Sequence, residues 1–455
     1  MSNEKKRNGI TRREALGRAV LGGAGLALAG GLTRPVWAQA ATPKDARPAG
    51  KAKALIQIWM WGGPSQIDMF DPKPDAGRDW NGSLAPAIDT NVDGIQINAA
   101  LPLLAGHADK YAIVRSMTHG VMGHETAAYI TLTGHTPGGG QRIVYPSVGS
   151  VVGKMRGYDY GYQNEIPPYV VLTSPLGRFS EVGFLGLKYK PFVTGGDPNA
   201  SRFAVEGIVA RGITDERQRK RRDLLHELDT LGRAMPDDPR FKKLDETEKK
   251  AYEMILGDAG KVFDLSQEKD EVRQKYGRNK FGQSCLAARR LVEQGVPCVA
   301  INYGGWDTHK KHFESMTRKL PEFDRGLATL LEDLSQRGLL DQTIVWCGGE
   351  FGRGPKVQWQ EPWNGGRSHW GHCYSHVLAG GGFKGGEVLG ASDEKAAYVA
   401  ERPVHPRELI ASIYANLGID PAGKMSNPRG LDLTVLPPAK DAESSGTRLK
   451  EIMKA

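Results

Sequence analysis

Short runs of apolar, β-branched or aromatic residues recur along this chain, separated by stretches whose apolar positions fall three and four apart. The runs are Ala54–Met60, Tyr111–Val114, Tyr169–Thr173, Val296–Tyr303, Thr343–Cys347 and Ser375–Leu378. Near-continuous apolarity over so few residues predicts strands buried on both faces. Phe281, Cys285, Ala288 and Val292 share one helical face, and Leu320, Phe323, Leu327, Leu330, Leu331 and Leu334 share another. Each of these two helical stretches is followed by a glycine and then by a strand. Strand and helix in alternation predict an α/β fold, a mostly parallel sheet with helices on both faces. In such sheets reactive groups collect beyond the carboxyl ends of the strands.

One stretch departs from this pattern. Residues 215–280 are densely charged, include Arg217-Gln218-Arg219-Lys220-Arg221-Arg222, and read as a solvated helical insertion. Acidic residues follow the basic run closely and no aromatics interleave with it, which argues against an arm for polyanions. The four cysteines, Cys285, Cys298, Cys347 and Cys373, show no CxxC spacing. Three of them fall in apolar patterns, so buried free thiols are expected rather than a disulfide framework.

The amino terminus carries an address. Thr11-Arg12-Arg13-Glu14-Ala15-Leu16 is a twin-arginine pattern, followed by the Gly/Ala-rich stretch Ala19–Leu32, then Arg34 and small residues ending at Ala38 or Ala40. That order of basic, apolar and cleavable parts predicts an export signal over residues 1–40, read by the twin-arginine export machinery. The stretch is too short and too rich in glycine to span a bilayer, and no other segment is a candidate span. A periplasmic or extracellular protein with no stable membrane span after cleavage is therefore expected. Of the formal net charge of +9, residues 1–40 supply seven basic and two acidic groups, leaving +4 for the remainder. A nucleic-acid partner is not expected at that charge. A Pro/Ala/Lys linker, 41–53, leads into the body of the protein, and residues 438–455 read as a carboxy-terminal tail.

The candidate chemistry lies in the carboxy-terminal half, in Trp306-Asp307-Thr308-His309-Lys310-Lys311-His312, Gly348-Gly349-Glu350-Phe351-Gly352-Arg353 and Arg367-Ser368-His369-Trp370-Gly371-His372. Imidazoles and carboxylates are poor core fillers unless paired or metallated. Their gathering at strand ends predicts one divalent-metal site, with Asp307, His309, Glu350, His369 and His372 as candidate ligands and zinc, manganese or calcium as the cation. Arg353 and Arg367 are candidate clamps for a phosphate or sulfate, because a planar guanidinium meets such oxyanions through two parallel hydrogen bonds.

The same segments carry a family resemblance. Asn302–His309, the helix after it and Thr343–Gly352 resemble the strand-loop-helix-strand core of the alkaline-phosphatase-like superfamily, which includes sulfatases and cofactor-independent phosphoglycerate mutases. Gly62-Gly63-Pro64-Ser65-Gln66-Ile67-Asp68, Leu132-Thr133-Gly134, Phe281-Gly282-Gln283, Trp306–His309, Gly349–Arg353 and Ala379–Gly382 look like the exported family called the domain of unknown function numbered 1501. The resemblance implies a single alkaline-phosphatase-like domain over 54–437. It also places the nucleophile position on His124, with Thr126 two residues on. Where superfamily relatives put a metal-binding Asp after the first strand, Trp61 stands here, and Glu350-Phe351 stand at the paired Asp-His or Asp-Asn position. The missing ligand could come from Asp68. Thr126 or Ser65 as attacker, His124 as nucleophile or ligand, and a metal-activated water remain open as routes.

Two functions follow as expectations. One is an exported metal-dependent hydrolase of phosphate or sulfate esters, acting on a small-molecule or glycan ester. The other is a non-catalytic exported module that uses the same groove, and tryptophans such as Trp306, Trp359, Trp363 and Trp370, to bind a glycan or a partner protein.

Overall fold

The computed structural model describes residues 50–454 apart from 85–86, 138–142, 178–181, 201–202, 204, 206–214, 229–257 and 437–447. The expected export signal, most of the linker and most of the tail lie outside the described residues. Of the linker, Ala52 is fully buried and donates its amide to the Asn416 carbonyl.

Eight strands form one sheet, in the spatial order Glu387–Leu389, Tyr111–Met117, Tyr374–Ala379, Thr343–Gly348, Ala54–Trp59, Cys298–Asn302, Tyr169–Leu172, Phe192–Val193. Tyr374–Ala379 runs antiparallel to both its neighbours, and every other pairing is parallel. All six expected strands are present. The two the sequence pattern missed are the edge strands Phe192–Val193 and Glu387–Leu389, too short to show a period.

The strands divide their side chains between two cores. Ile56, Ile58, Val299, Ile301, Val345 and Cys347 face one core, closed by the helices Lys280–Glu293 and His312–Gln336. Leu55, Trp59, Cys298, Ala300, Ile344 and Trp346 face the other, closed by the helices His124–Thr133 and Pro406–Asn416. Leu320, Phe323, Leu327, Leu330, Leu331 and Leu334 are all fully buried, as are Phe281, Cys285 and Ala288 to within 2 %. Each of the leucine and phenylalanine side chains contributes about 1.5–3 kcal/mol by leaving water. Helices on both faces of a mostly parallel sheet are thus what the periodicity called for.

The charged insertion needs correcting at its carboxy-terminal end. Glu216, Arg217, Arg219 and Lys220 are exposed on the helix Asp215–Leu228, in keeping with a solvated face. In the helix Asp270–Tyr276, however, Tyr276 is fully buried, with its hydroxyl donating to Asp333, and the buried Arg273 donates to Gln283. That last turn belongs to the core side of the protein, since a tyrosine ring brings more apolar area than the neighbouring charges can hold in water. All four cysteines are free and buried, as expected. Among the described residues no helix is long and apolar enough to cross a membrane.

Candidate metal centre

The parallel strands Ala54–Trp59, Cys298–Asn302 and Thr343–Gly348 end in register, with Trp59 opposite both Asn302 and Gly348. Their continuations therefore meet at one rim. Trp61-Gly62 follows the first strand, Asp307 and His309 the second, and Glu350 the third. Gly62 permits the closest of these approaches. Its φ is +114°, and a Cβ there would lie 2.2 Å from the Asp307 amide nitrogen. Only glycine fits such a position. His369 arrives on a two-stranded ribbon, in which His369–Trp370 pairs antiparallel with Gly352–Arg353. His124 opens the helix His124–Thr133.

Ligand atoms of His124, Asp307 and His369 lie within 4.8 Å of one another. His124 Nε2 stands 3.3 Å from Asp307 Oδ2, and His369 Nε2 stands 3.1 Å from Asp307 Oδ1. His309 Nε2 borders this trio, 2.8 Å from His369 Nε2 and 3.1 Å from Asp307 Oδ1. Two ligands about 2.0–2.1 Å from a tetrahedral zinc are roughly 3.4 Å apart, so these spacings suit a shared cation. The far sides of two rings are held. His124 Nδ1 lies 2.6 Å from Glu350 Oε1, and His369 Nδ1 lies 2.7 Å from the Met122 carbonyl. Nδ1–H donating to these oxygens leaves each Nε2 with its lone pair towards the cluster, and a hydrogen bond on the far nitrogen is what orients a metal-binding histidine. Phe351, fully buried, packs under His124 and His369 at ring distances of 5.0 and 4.7 Å. Trp61 stacks on His124 at 5.6 Å.

Electrostatics favour the ligating forms unevenly. Burial opposes ionisation of Asp307, but Arg353, His369 and His124 outweigh it and hold its pKa at about 2. Burial and Arg353 lower the pKa of His309, so its imidazole is neutral at physiological pH. The hydrogen bond that His124 donates to Glu350 raises the pKa of His124, with Asp307 adding to the effect. The donor set of His124, His369 and Asp307 is two imidazoles and one carboxylate, which suits zinc or manganese and disfavours calcium, a cation that takes oxygen ligands.

Several expected roles change. Glu350 stands behind His124: it is fully buried, and its Oε1 also accepts from the Gly62 amide at 2.9 Å. Its Oε2 has no hydrogen-bond partner among the described residues. His372 is not brought to the cluster. Its ring lies 5.1 Å from Trp370 and 5.4 Å from Tyr398, since the strand ends at Trp370 and the chain bends at His372. Arg353 is fully buried and donates to the carbonyls of Gly62, Gly63 and Arg367 as well as to Asp307, so it positions that carboxylate rather than presenting a free fork.

Arg367 is likewise committed, to Gly354, Pro355, Trp80 and Asp68. Asp68 supplies no ligand, since it is 1 % exposed and paired with Arg367 and His312. Ser65 donates to Asp68 at 2.5 Å and is buried, which removes it as an attacker. Thr126 is exposed in the first turn of its helix. The sequence pattern did not disclose His312 as a partner of Asp68, or Thr308 as a partner of His312, although the four-residue spacing of Thr308 and His312 was visible.

The family described as protein of unknown function (DUF1501) matches residues 52–441. No curated protein matches. Among solved structures, the lipoteichoic acid synthase LtaP from Listeria monocytogenes is 11 % identical, with 86 % of this chain and 76 % of that chain covered and a TM-score of 0.37. A protein in the alkaline phosphatase superfamily from Vibrio parahaemolyticus is 10 % identical, over 81 % of this chain and 67 % of that one, with a TM-score of 0.36. The PsFucS1 sulfatase from Pseudoalteromonas sp. is 14 % identical, over 76 % and 66 %, with a TM-score of 0.33.

Proposed function

Because the chain belongs to the DUF1501 family, whose description assigns no activity, we propose a function from the site itself: an exported, divalent-metal-dependent hydrolase of phosphate or sulfate esters. The observation that carries it is the convergence of His124, Asp307 and His369 within 4.8 Å, with two of the three backed by a carboxylate or a carbonyl. The ester class is supported by the likeness of the 302–309 and 343–352 segments to the alkaline-phosphatase-like core.

His124, Asp307 and His369 would hold the cation, zinc or manganese. Bound there, it would supply Lewis acidity towards a water and towards an ester oxygen. Arg353 keeps Asp307 ionised and turned towards the histidines. Glu350 fixes the tautomer and tilt of His124. His309, neutral and at the exposed edge, accepts the proton of the attacking water as general base. The side chains of Asp307 and His309 are 44 % and 37 % exposed, so a substrate reaches them without opening the fold. No serine or threonine hydroxyl is hydrogen-bonded to these four groups among the described residues, which favours water over a side-chain nucleophile.

Elemental analysis of the purified protein, followed by assays on aryl phosphates and aryl sulfates with zinc or manganese added, tests the reading. Stoichiometric metal lost in Asp307→Ala is expected, and a protein with neither metal nor turnover would refute it. The second reading, a glycan-binding module, is favoured by Trp61 standing over His124 where superfamily relatives carry a ligand. Glycan binding that survives both chelation and Asp307→Ala would select it. Export by the twin-arginine route, supported by Arg12-Arg13 and the small residues up to Ala40, is tested by replacing both arginines with lysine. Retention of that variant in the cytoplasm is expected, and unchanged export would reject the route.

A further inference from the structure

Beneath the cluster lies a second group of charged and polar side chains that the chemistry above does not use. Asp68 is its centre. Its carboxylate meets Arg367 through Nε at 2.7 Å and Nη2 at 3.1 Å, the Ser65 hydroxyl at 2.5 Å and His312 Nε2 at 2.8 Å. His312 Nδ1 in turn lies 2.6 Å from the Thr308 hydroxyl. Asp68, Arg367 and His312 are each no more than 1 % exposed, and Ser65 is equally buried. None of them reaches a substrate.

Burying an aspartate, an arginine and a histidine is costly unless every group is paired. Here the pairing is complete on Asp68, and its polarity is fixed. Nε2–H of His312 donates to the carboxylate, which leaves Nδ1 to accept the Thr308 proton. The result is a chain whose donors all point towards Asp68, Thr308 to His312 and His312 to Asp68 on one side and Arg367 to Asp68 on the other. Thr308 sits between Asp307 and His309, and Arg367 lies two residues before His369. One carboxylate therefore ties together the two segments that bring three of the four clustered side chains. The backbone repeats the link, since the Arg367 amide donates to the Thr308 carbonyl at 3.2 Å.

We infer that the buried Arg367–Asp68–His312–Thr308 chain is a positioning network that fixes the 306–309 loop and sets the cation affinity of the site above it. The affinity claim rests on the proposed metal reading, whereas the loop claim stands without it. Outer-shell hydrogen bonds of this kind change metal affinity by about 10–100-fold when removed.

Thr308→Val severs the chain at its upper end while keeping the shape of the side chain, and Thr308→Ser keeps the hydroxyl. Zinc affinity, measured by competition with a chromophoric chelator, should fall about 10–100-fold in Thr308→Val and stay near the wild-type value in Thr308→Ser. Hydrogen–deuterium exchange of the 306–312 amides should quicken in the valine variant alone. Equal affinity and equal exchange in all three proteins would overturn the inference, and so would a serine variant as weak as the valine one.

Wild-type protein that binds no zinc would defeat the metal reading and the affinity claim together, leaving the exchange comparison to decide the loop claim. If Thr308→Val does not fold, His312→Asn cuts the same chain from below and is judged by the same two measurements.

Discussion

Glu350 spends one oxygen on two donors, the Gly62 amide and His124, and this makes it the residue whose loss should be most diagnostic. Metal binding requires a neutral imidazole. Because Glu350 raises the pKa of His124, protons compete with the cation to higher pH than at an ordinary histidine, and affinity should climb as pH rises through that raised value. Glu350→Gln removes the charge but keeps a hydrogen-bonding oxygen. The climb should then move to lower pH, while the plateau affinity drops by about 10–100-fold from the looser hold on the ring. Zinc titrations at several pH values read both effects, and an unchanged pH profile would show that Glu350 does not govern His124. Asp307 behaves differently. Its pKa is depressed to about 2, so the stability its ion pairs contribute is present above the ordinary carboxylate range and is lost progressively as pH falls from that range through about 2.

At the scale of elements, the rim depends on a backbone approach that side chains cannot adjust. Gly62 faces the backbone of Trp306 and Asp307, and a methyl group there would meet the Trp306 carbonyl carbon at 2.7 Å as well as the Asp307 nitrogen. Gly62→Ala should cost about 2–5 kcal/mol from backbone strain and overpacking, and should displace Asp307 enough to abolish cation binding. Gly77→Ala is the control, since Gly77 also has a positive φ of +84° but an added methyl would meet nothing within 4 Å. Urea unfolding of the two variants separates strain from clash. The strands and helices that create this approach were legible because burial on both faces writes continuous apolar runs and three–four spacings into the chain. The nearness of Asp307 and His309 to the rim was legible because they lie just beyond such a run, and that of His369 because it shortly precedes another. The pairing of His124 with Glu350, 226 residues apart, was not, because no local period records which helix end faces which strand end. His372 misled because nearness to His369 in sequence does not fix direction, and the chain bends after the strand ends at Trp370.

Over the whole molecule, the sheet order explains why one end of the fold can be chemical and the rest inert. The central strand Ala54–Trp59 lies between Thr343–Gly348 and Cys298–Asn302, so the three loops at its carboxyl end are neighbours by topology alone. Both cores sit below them, and the three ligands come from a loop after a strand, the start of the helix His124–Thr133 and the ribbon His369–Trp370. A cation at that rim would bridge chain segments that start near residues 124, 307 and 369, and these segments separate on unfolding. The cation therefore binds the folded state almost exclusively and stabilises it by mass action, by about 4 kcal/mol when free zinc is a thousand times its dissociation constant. Unfolding entropy grows with chain length, so in a domain of this size that energy raises the melting temperature by about 5 °C. Calorimetry of the zinc-loaded and chelated forms should show this shift in the wild type and none in Asp307→Ala, whose cores are intact. Equal shifts in both proteins would place the stabilising ion elsewhere in the molecule.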